Sequence, residues 1–244
     1  MNIFYLDECP VKAAKMSVVK HLVKMPSECV QLLSTTLRLV DGQDVTAYDP
    51  DGTKHTLNVL DGETYKFVRR YRLTYRLRGA LREKTVKVEL GEQPVYPRGA
   101  EPVSAVFKDY KMVYAHQLAM AMTHENHPSR QWVGMSFTHY DWLMAHCYAL
   151  EIEWRNHYGH PADKRHASVE LLDRMPMPSE ANFPDNGWMC DPLIAIKDER
   201  FHLDNVRDSY RAYYVGEKMA MGVRDYFLEV MRDESPEILE KFLN

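Results

Sequence analysis

Apolar side chains at Val11, Ala14, Val18, Leu22 and Met25 recur every three or four positions, which predicts an amphipathic helix over residues 11–25. Pro26 cannot donate to the carbonyl four residues back, so the helix either kinks there or a second one starts with Pro26 in its first turn. Val30, Leu33, Leu37 and Val40 carry the helical stripe through residues 27–40, and Asp41-Gly42 ends it. The period then changes. Tyr65, Phe67, Tyr71, Leu73, Tyr75 and Leu77 fall on one parity, interrupted by Arg69, while Lys66, Arg70, Arg72, Arg76 and Arg78 fall on the other. Period two predicts a strand over 65–78 with a packed face and a basic face. Tyr48 to Gly52 reads as a turn between short strands, and Val86, Val88 and Leu90 as part of another strand.

Three prolines make a loop of 91–104, and the Met- and Ala-rich stretch 108–122 reads as a helix. Thr138 followed by Asp141 has the spacing of a capping box opening a helix to about residue 157. Further helices are predicted over 162–174 and 204–231, the latter with possible breaks at Gly216 or Gly222, and from Ser235-Pro236 onward. Four prolines mark 175–200 as a long loop. The fold class expected is mainly α: one compact helical domain over 1–244 with a small antiparallel β insertion at about residues 44–90, inside a β-rich basic stretch 44–104.

Composition narrows this little. The chain has 244 residues, 45% apolar and 27% charged, which is globular and excludes wholesale disorder. Four scattered cysteines form no CxxC pair, and no apolar run reaches the ~20 residues of a membrane span. The expectation is a soluble, reduced, cytoplasmic protein with no membrane contact. Charge is more informative. Between Lys66 and Lys87 stand nine basic residues and one acid, Glu83, in a chain of net charge −4. Tyrosines interleaved with arginines on a strand can stack on bases and grip phosphates, so DNA is the expected partner. The same pattern also fits an exposed sheet face protected from edge pairing.

Three other constellations carry possible chemistry. Lys20, Lys24 and Glu28 follow at four-residue spacing on the polar side of the first helical region, beside His21. Two ammonium groups one turn apart disfavour each other's charge, which is one route to an amine nucleophile; a plain surface ion pair has the same spacing. Eight of the eleven histidines lie between His116 and His166, with His124 and His127 flanking a turn and His157 and His160 at a helix end. Such groups can move protons near neutral pH or ligate metal. HExxH and helical Glu-x-x-His are both missing, so no metal and no cofactor is assigned. The aromatic residues Trp132, Tyr140, Trp142, Tyr148 and Trp154 sit at helical spacing and read as core. Walker, GxGxxG and GxSxG motifs are missing as well, which removes the usual support for P-loop, Rossmann and α/β-hydrolase chemistry.

Three groups of segments carry a resemblance. The first comprises residues 2–7 (NIFYLD), 13–16 (AAKM), 20–25 (KHLVKM), Glu28 and 31–35 (QLLST). The second comprises 123–129 (THENHPS), Trp132-Val133 and 140–143 (YDWL). The third is 210–214 (YRAYY). Together they resemble a family of small bacteriophage proteins, some of which carry the name pyrimidine-dimer DNA glycosylase or endonuclease V-like. The middle insertion lies outside that pattern. The resemblance implies a phage protein, acting in the host cytoplasm, that meets DNA or nucleotides. In the true pyrimidine-dimer glycosylases an N-terminal amine is the nucleophile and a Glu supports it. Here residue 2 is Asn, which disfavours removal of Met1, and Val19 stands where the family pattern has Asp.

The leading expectation is a DNA N-glycosylase or glycosylase/lyase, with Lys20 or Lys24 as nucleophile and Met1 as the rival amine. Glu28 would be the acidic partner, with His21 beside the lysines and His124 and His127 handling protons. Lys66, Arg70, Arg72, Arg76 and Arg78 would hold the DNA backbone. Two alternatives stand beside it: a non-catalytic phage protein that binds a host factor through its acidic C-terminal half, and a metal-dependent helical enzyme built on the His-rich segment.

Overall fold

A computed structural model describes residues 3–184 and 189–243. In chain order the elements are helices α1 (Pro10–Lys15) and α2 (Val19–Asp41), strands β1 (Gln43–Tyr48), β2 (Lys54–Val59), β3 (Thr64–Leu77), β4 (Ala80–Glu89) and β5 (Glu101–His116), then helices α3 (Pro128–Val133), α4 (Phe137–Tyr158), α5 (Ala167–Leu172), α6 (Val206–Tyr213), α7 (Asp225–Glu234) and α8 (Pro236–Phe242). The chain forms two compact units: a helical one from the outer parts, up to Asp41 and from Ala119 onward, and a β unit over Gly42–Leu118.

In the helical unit, α2 and α1 both pack on α4. The predicted stripe is buried from Ala14 to Leu37, with Leu22, Met25, Val30 and Leu33 inside, as are Leu143, Cys147 and Leu150 of α4, whereas Val11 at its start is exposed. The first helical region breaks at Met16 to Val18 rather than at Pro26, which lies within α2. Its lost hydrogen bond is offset by burial of the α2 face on both sides of it. Two wholly buried arginines organise the rest. Arg38 donates to the carbonyls of Ala119 and Met120, each at 2.7 Å, and so clamps the chain where it re-enters the unit. Arg211 donates to the Leu6 carbonyl at 2.9 Å, Ser235 Oγ at 3.0 Å, Asp7 at 3.2 Å and Glu234 at 2.8 Å. That single side chain ties the N-terminal extended segment to α6 and to the α7–α8 corner.

The β unit holds a β1–β2 hairpin and a three-stranded antiparallel sheet in the order β4-β3-β5. Arg78 and Gly79 both have positive φ, 53° and 78°, and form the two-residue turn that joins β3 to β4. Register shifts between Thr64 and Tyr65, Arg70 and Tyr71, and Thr74 and Tyr75 mark irregularities along the β3–β5 pairing.

Several expectations are corrected. The described residues are 43% helix and 22% strand with two sheets, a mixed α/β fold, and not mainly α with a small insertion. Much of the difference is β5: residues 108–116, read as the start of a helix from Met and Ala content, pair along β3 instead. The predicted helix over 204–231 is broken by a π-helical turn at Tyr214–Lys218, a 3-10 turn at Met219–Met221 and Gly222 at φ 92°. The helix predicted over 162–174 shrinks to α5. Ser136, and not Thr138, caps α4, its hydroxyl accepting from the His139 amide at 3.4 Å.

Candidate functional site

Helix α2 presents Lys20, His21, Lys24 and Glu28 along one side, and all four line a pocket of about 320 Å³. Phe4 comes in from the N-terminal extended segment, Lys218 from the last position of the π-helical turn and Met221 from the turn after it. The lysines are where an exposed helix face puts them, with Lys24 paired to Glu28 at 2.6 Å and no carboxylate against Lys20 among the described residues. His21 differs, since only 7% of it is exposed. Its ring stacks on Phe4 with centroids 4.4 Å apart, and its Nδ1 lies 2.5 Å from the Tyr214 hydroxyl. Burial, then the charges of Lys218 and Lys24, push its pKa down to about 4 against the opposing pull of Glu28. Burial holds the Tyr214 hydroxyl well above its ordinary range. Neutral imidazole against protonated phenol is therefore the resting state near pH 7.

The floor of this pocket is set by the irregular part of the C-terminal region. The wider π turn at Tyr214–Lys218 shifts the helical phase and brings both Tyr214 and Lys218 to α2. Gly222 follows, its carbonyl accepting from the Val19 amide at 2.8 Å. A Cβ there would stand 3.0 Å from Val19 Cβ, in a backbone conformation that side chains rarely adopt. The N-terminal extended segment packs on two sets of aromatic residues, Phe4 on the pocket side and Tyr5 away from it. Phe4 packs on His21, on Tyr214 at 5.3 Å and on Tyr210 at 6.2 Å, while Tyr5 packs on Trp142 at 5.3 Å and Trp132 at 6.1 Å.

His124 and His127 are not among the residues that line the pocket. His124 has φ 56° in the connector, and His127 caps α3, its Nδ1 accepting from the Ser129 amide at 3.2 Å. His157 and His160 pack around Tyr158, with His160 also against Trp154. No group of three or more His, Cys, Asp or Glu among the described residues is arranged to hold a metal. His146 is buried on Trp142 and bonded to the Pro10 carbonyl at 3.0 Å, and burial pushes its pKa down to about 4. Met1, the rival amine, lies outside the described residues.

The basic strand is present, but its charges are partly spoken for. Arg72 and Arg76 are exposed and have no carboxylate partner among the described residues. Arg70 is half-buried and bonded to both carboxylate oxygens of Asp109; Lys66 pairs with Glu89. Arg78 lies in the hairpin turn rather than on the strand face.

Sequence reasoning did not find Lys218, Tyr214 or Phe4 as pocket residues. Nor did it find the chain Ser136–His139–Cys190, in which His139 Nδ1 lies 2.6 Å from Ser136 Oγ and Nε2 lies 3.5 Å from Cys190 Sγ. The same Nε2 accepts the Cys190 amide at 3.1 Å, so the arrangement serves as a clamp on the backbone at residue 190. A second cavity, about 510 Å³, lies in the β unit beside Asp49, His55, Arg70 and Asp109. His55 is bonded to Asp49 at 2.8 Å, and Asp49 also accepts the amides of Asp51 and Thr53, which closes the hairpin turn.

No helix among the described residues is long and apolar enough to cross a membrane. Comparison with protein-family models, with curated proteins and with solved structures finds no match to the chain.

Proposed function

We propose that the chain is a phage DNA-acting enzyme of the host cytoplasm, an N-glycosylase/lyase on damaged or modified bases, with the α2 pocket as its centre. The observation that supports this reading is the convergence of Lys20, His21, Lys24 and Glu28 with Phe4 in one pocket. An enzyme of this kind takes the target base out of the stack and reads it in a polar pocket with aromatic walls. Lys20 is the nucleophile, because Glu28 holds Lys24 in an ion pair. The Glu28 carboxylate takes a proton from the Lys20 ammonium, Nζ attacks C1′ with the freed lone pair, the glycosidic bond breaks and the base leaves with that proton. Loss of the ammonium proton and opening of the sugar ring then give the imine. His124 and His127 take no step in this scheme, and neutral His21 serves as a hydrogen-bonding wall.

Borohydride reduces such an imine to a stable amine. Incubation with duplexes carrying a panel of damaged and modified bases should therefore trap a covalent protein–DNA adduct, mapped by peptide digestion to Lys20 and lost in Lys20→Ala. An adduct on the Met1 amine, or none on any duplex, overturns the assignment.

A further inference from the structure

The α2 pocket holds more positive charge than imine chemistry requires. Lys20, Lys24 and Lys218 all line it, and Glu28 is the one carboxylate among its described lining residues. Lys20 also sits in the first turn of α2, a 23-residue helix with no acidic residue in that turn. A helix N-terminus carries about half a positive charge and ordinarily has Asp or Glu nearby. Here a lysine occupies that turn, and a second lysine faces it from the π-helical turn. Lys218 is held in place, its Nζ 4.6 Å from the centre of the Tyr213 ring. The nearly buried His21, kept neutral and hydrogen-bonded through Nδ1, adds a polar ring to the wall without adding charge.

Like charges brought together on a fold pay a repulsive cost that an anion removes. We infer that this pocket is a phosphate site and that its ligand is a nucleotide. Lys20, Lys24 and Lys218 surround the phosphate oxygens, and Phe4 and Met221 form the apolar wall for sugar or base. The volume is at the small end of ligand pockets, ~300–1,000 Å³, which suits one nucleotide rather than a longer strand segment. This inference rests on the reading of the pocket as the DNA-acting centre and names the group that the pocket grips.

The test is titration calorimetry of the full chain at low salt with thymidine 5′-monophosphate, with thymidine, and with a short single strand lacking terminal phosphates. A phosphate site binds the monophosphate or the strand, ignores thymidine and weakens as salt rises. Lys218→Gln, which removes no group from the proposed imine chemistry, should weaken binding about tenfold, the weight of one charge-assisted contact. Preference for the monophosphate identifies a free nucleotide as the source, and preference for the strand identifies a backbone phosphodiester; either result keeps the site. Thymidine binding as well as its monophosphate, or affinity unchanged in both Lys218→Gln and Lys20→Gln, overturns it. The two proposals fail separately. Lysine-dependent monophosphate binding without a borohydride adduct removes the lyase and keeps the phosphate site; an adduct on Lys20 unaffected by Lys218→Gln, without phosphate binding, does the reverse.

Discussion

The pocket on α2 and the basic face of β3 are both rich in cations, but they arrange their counter-charges differently. Along a helix, compensation comes from the same chain one turn away, and among the described lining residues Glu28 is the one carboxylate that α2 supplies to the pocket. In a sheet, compensation comes from the neighbouring strands. Asp109 stands opposite Arg70 and pairs with it, and Glu89 reaches Lys66, while Glu101 stands opposite Arg76 in register but forms no ion pair with it. Asp109, Glu101 and Glu89 all lie outside the run from Lys66 to Lys87 that looked so basic in the sequence. A linear window therefore overstates the potential of a strand face and understates that of a pocket, where Lys218 arrives from nearly two hundred residues away.

Acid should separate the two units most clearly. The helical unit buries His146 and His21 as neutral rings with pKa about 4, against about 6.5 in the unfolded chain. The unfolded state takes up those protons first, so the stability they confer is complete above about pH 6.5 and is lost as pH falls toward about 4. The loss is about 3 kcal/mol for wholly buried His146 and smaller for His21. In the β unit the shifts are on carboxylates. The Arg70 hydrogen bonds hold Asp109 below its ordinary value. At Asp49, burial pulls upward but the His55 bond and the Thr53 and Asp51 amides outweigh it. Those contributions survive until the pH drops below the ordinary carboxylate range. Fluorescence of Trp132, Trp142 and Trp154 should thus report melting of the helical unit in an acid titration before β3 amides lose exchange protection. Coincident transitions, or β3 opening first, would break the comparison.

Salt dependence probes the sheet face. Arg72 and Arg76 are its exposed arginines without a carboxylate partner, so each can offer a phosphate one contact. The double reversal Arg72→Glu with Arg76→Glu should lower the slope of log K against log salt by about 1.8, at ~0.9 per contact. Adding Arg70→Glu should change the slope no further, because Asp109 already satisfies that side chain. A triple variant flatter by another whole contact means that the Arg70–Asp109 pair opens on DNA. No change in the double variant removes the β3 face from the footprint.

Much of this was legible in the sequence where the signal is local. The stripe from Ala14 to Leu37, the alternation of β3 and the long helix ending near residue 157 all have a period that the backbone imposes. The pocket face of α2 was legible for the same reason, since residues 20, 24 and 28 share a side of any helix. What was hidden depends on pairing or packing across long separations. The Met and Ala that suggested a helix over 108–122 lie mostly after residue 116, while 108–116 holds Tyr110, Val113 and Tyr114, and a strand partner outweighs a few tenths of a kcal/mol per residue of propensity. Nothing near Tyr214 announces a π turn, although Gly216 and Gly222 mark weak points in that helix. The histidine cluster dissolved because chain proximity is not spatial convergence: His127 caps a helix, His139 clamps a loop and His146 is core.

The smallest effect is the sharpest test of what cross-strand compensation costs. Asp109→Asn removes the negative charge opposite Arg70 while keeping the side chain's shape and its acceptor oxygen. The pair is substantially exposed, and such pairs are worth about 0–1 kcal/mol, so the fold should barely notice. Arg70 would then be free to turn outward beside Arg72 on the same face of β3. If that face meets DNA, the variant should bind more tightly than the native chain, with a slope against log salt steeper by about 0.9, the signature of one added phosphate contact. Wild-type affinity and slope in Asp109→Asn, with β3 exchange protection intact, would show that Arg70 is tied down for the sheet's sake and that its place in the basic run has no bearing on DNA.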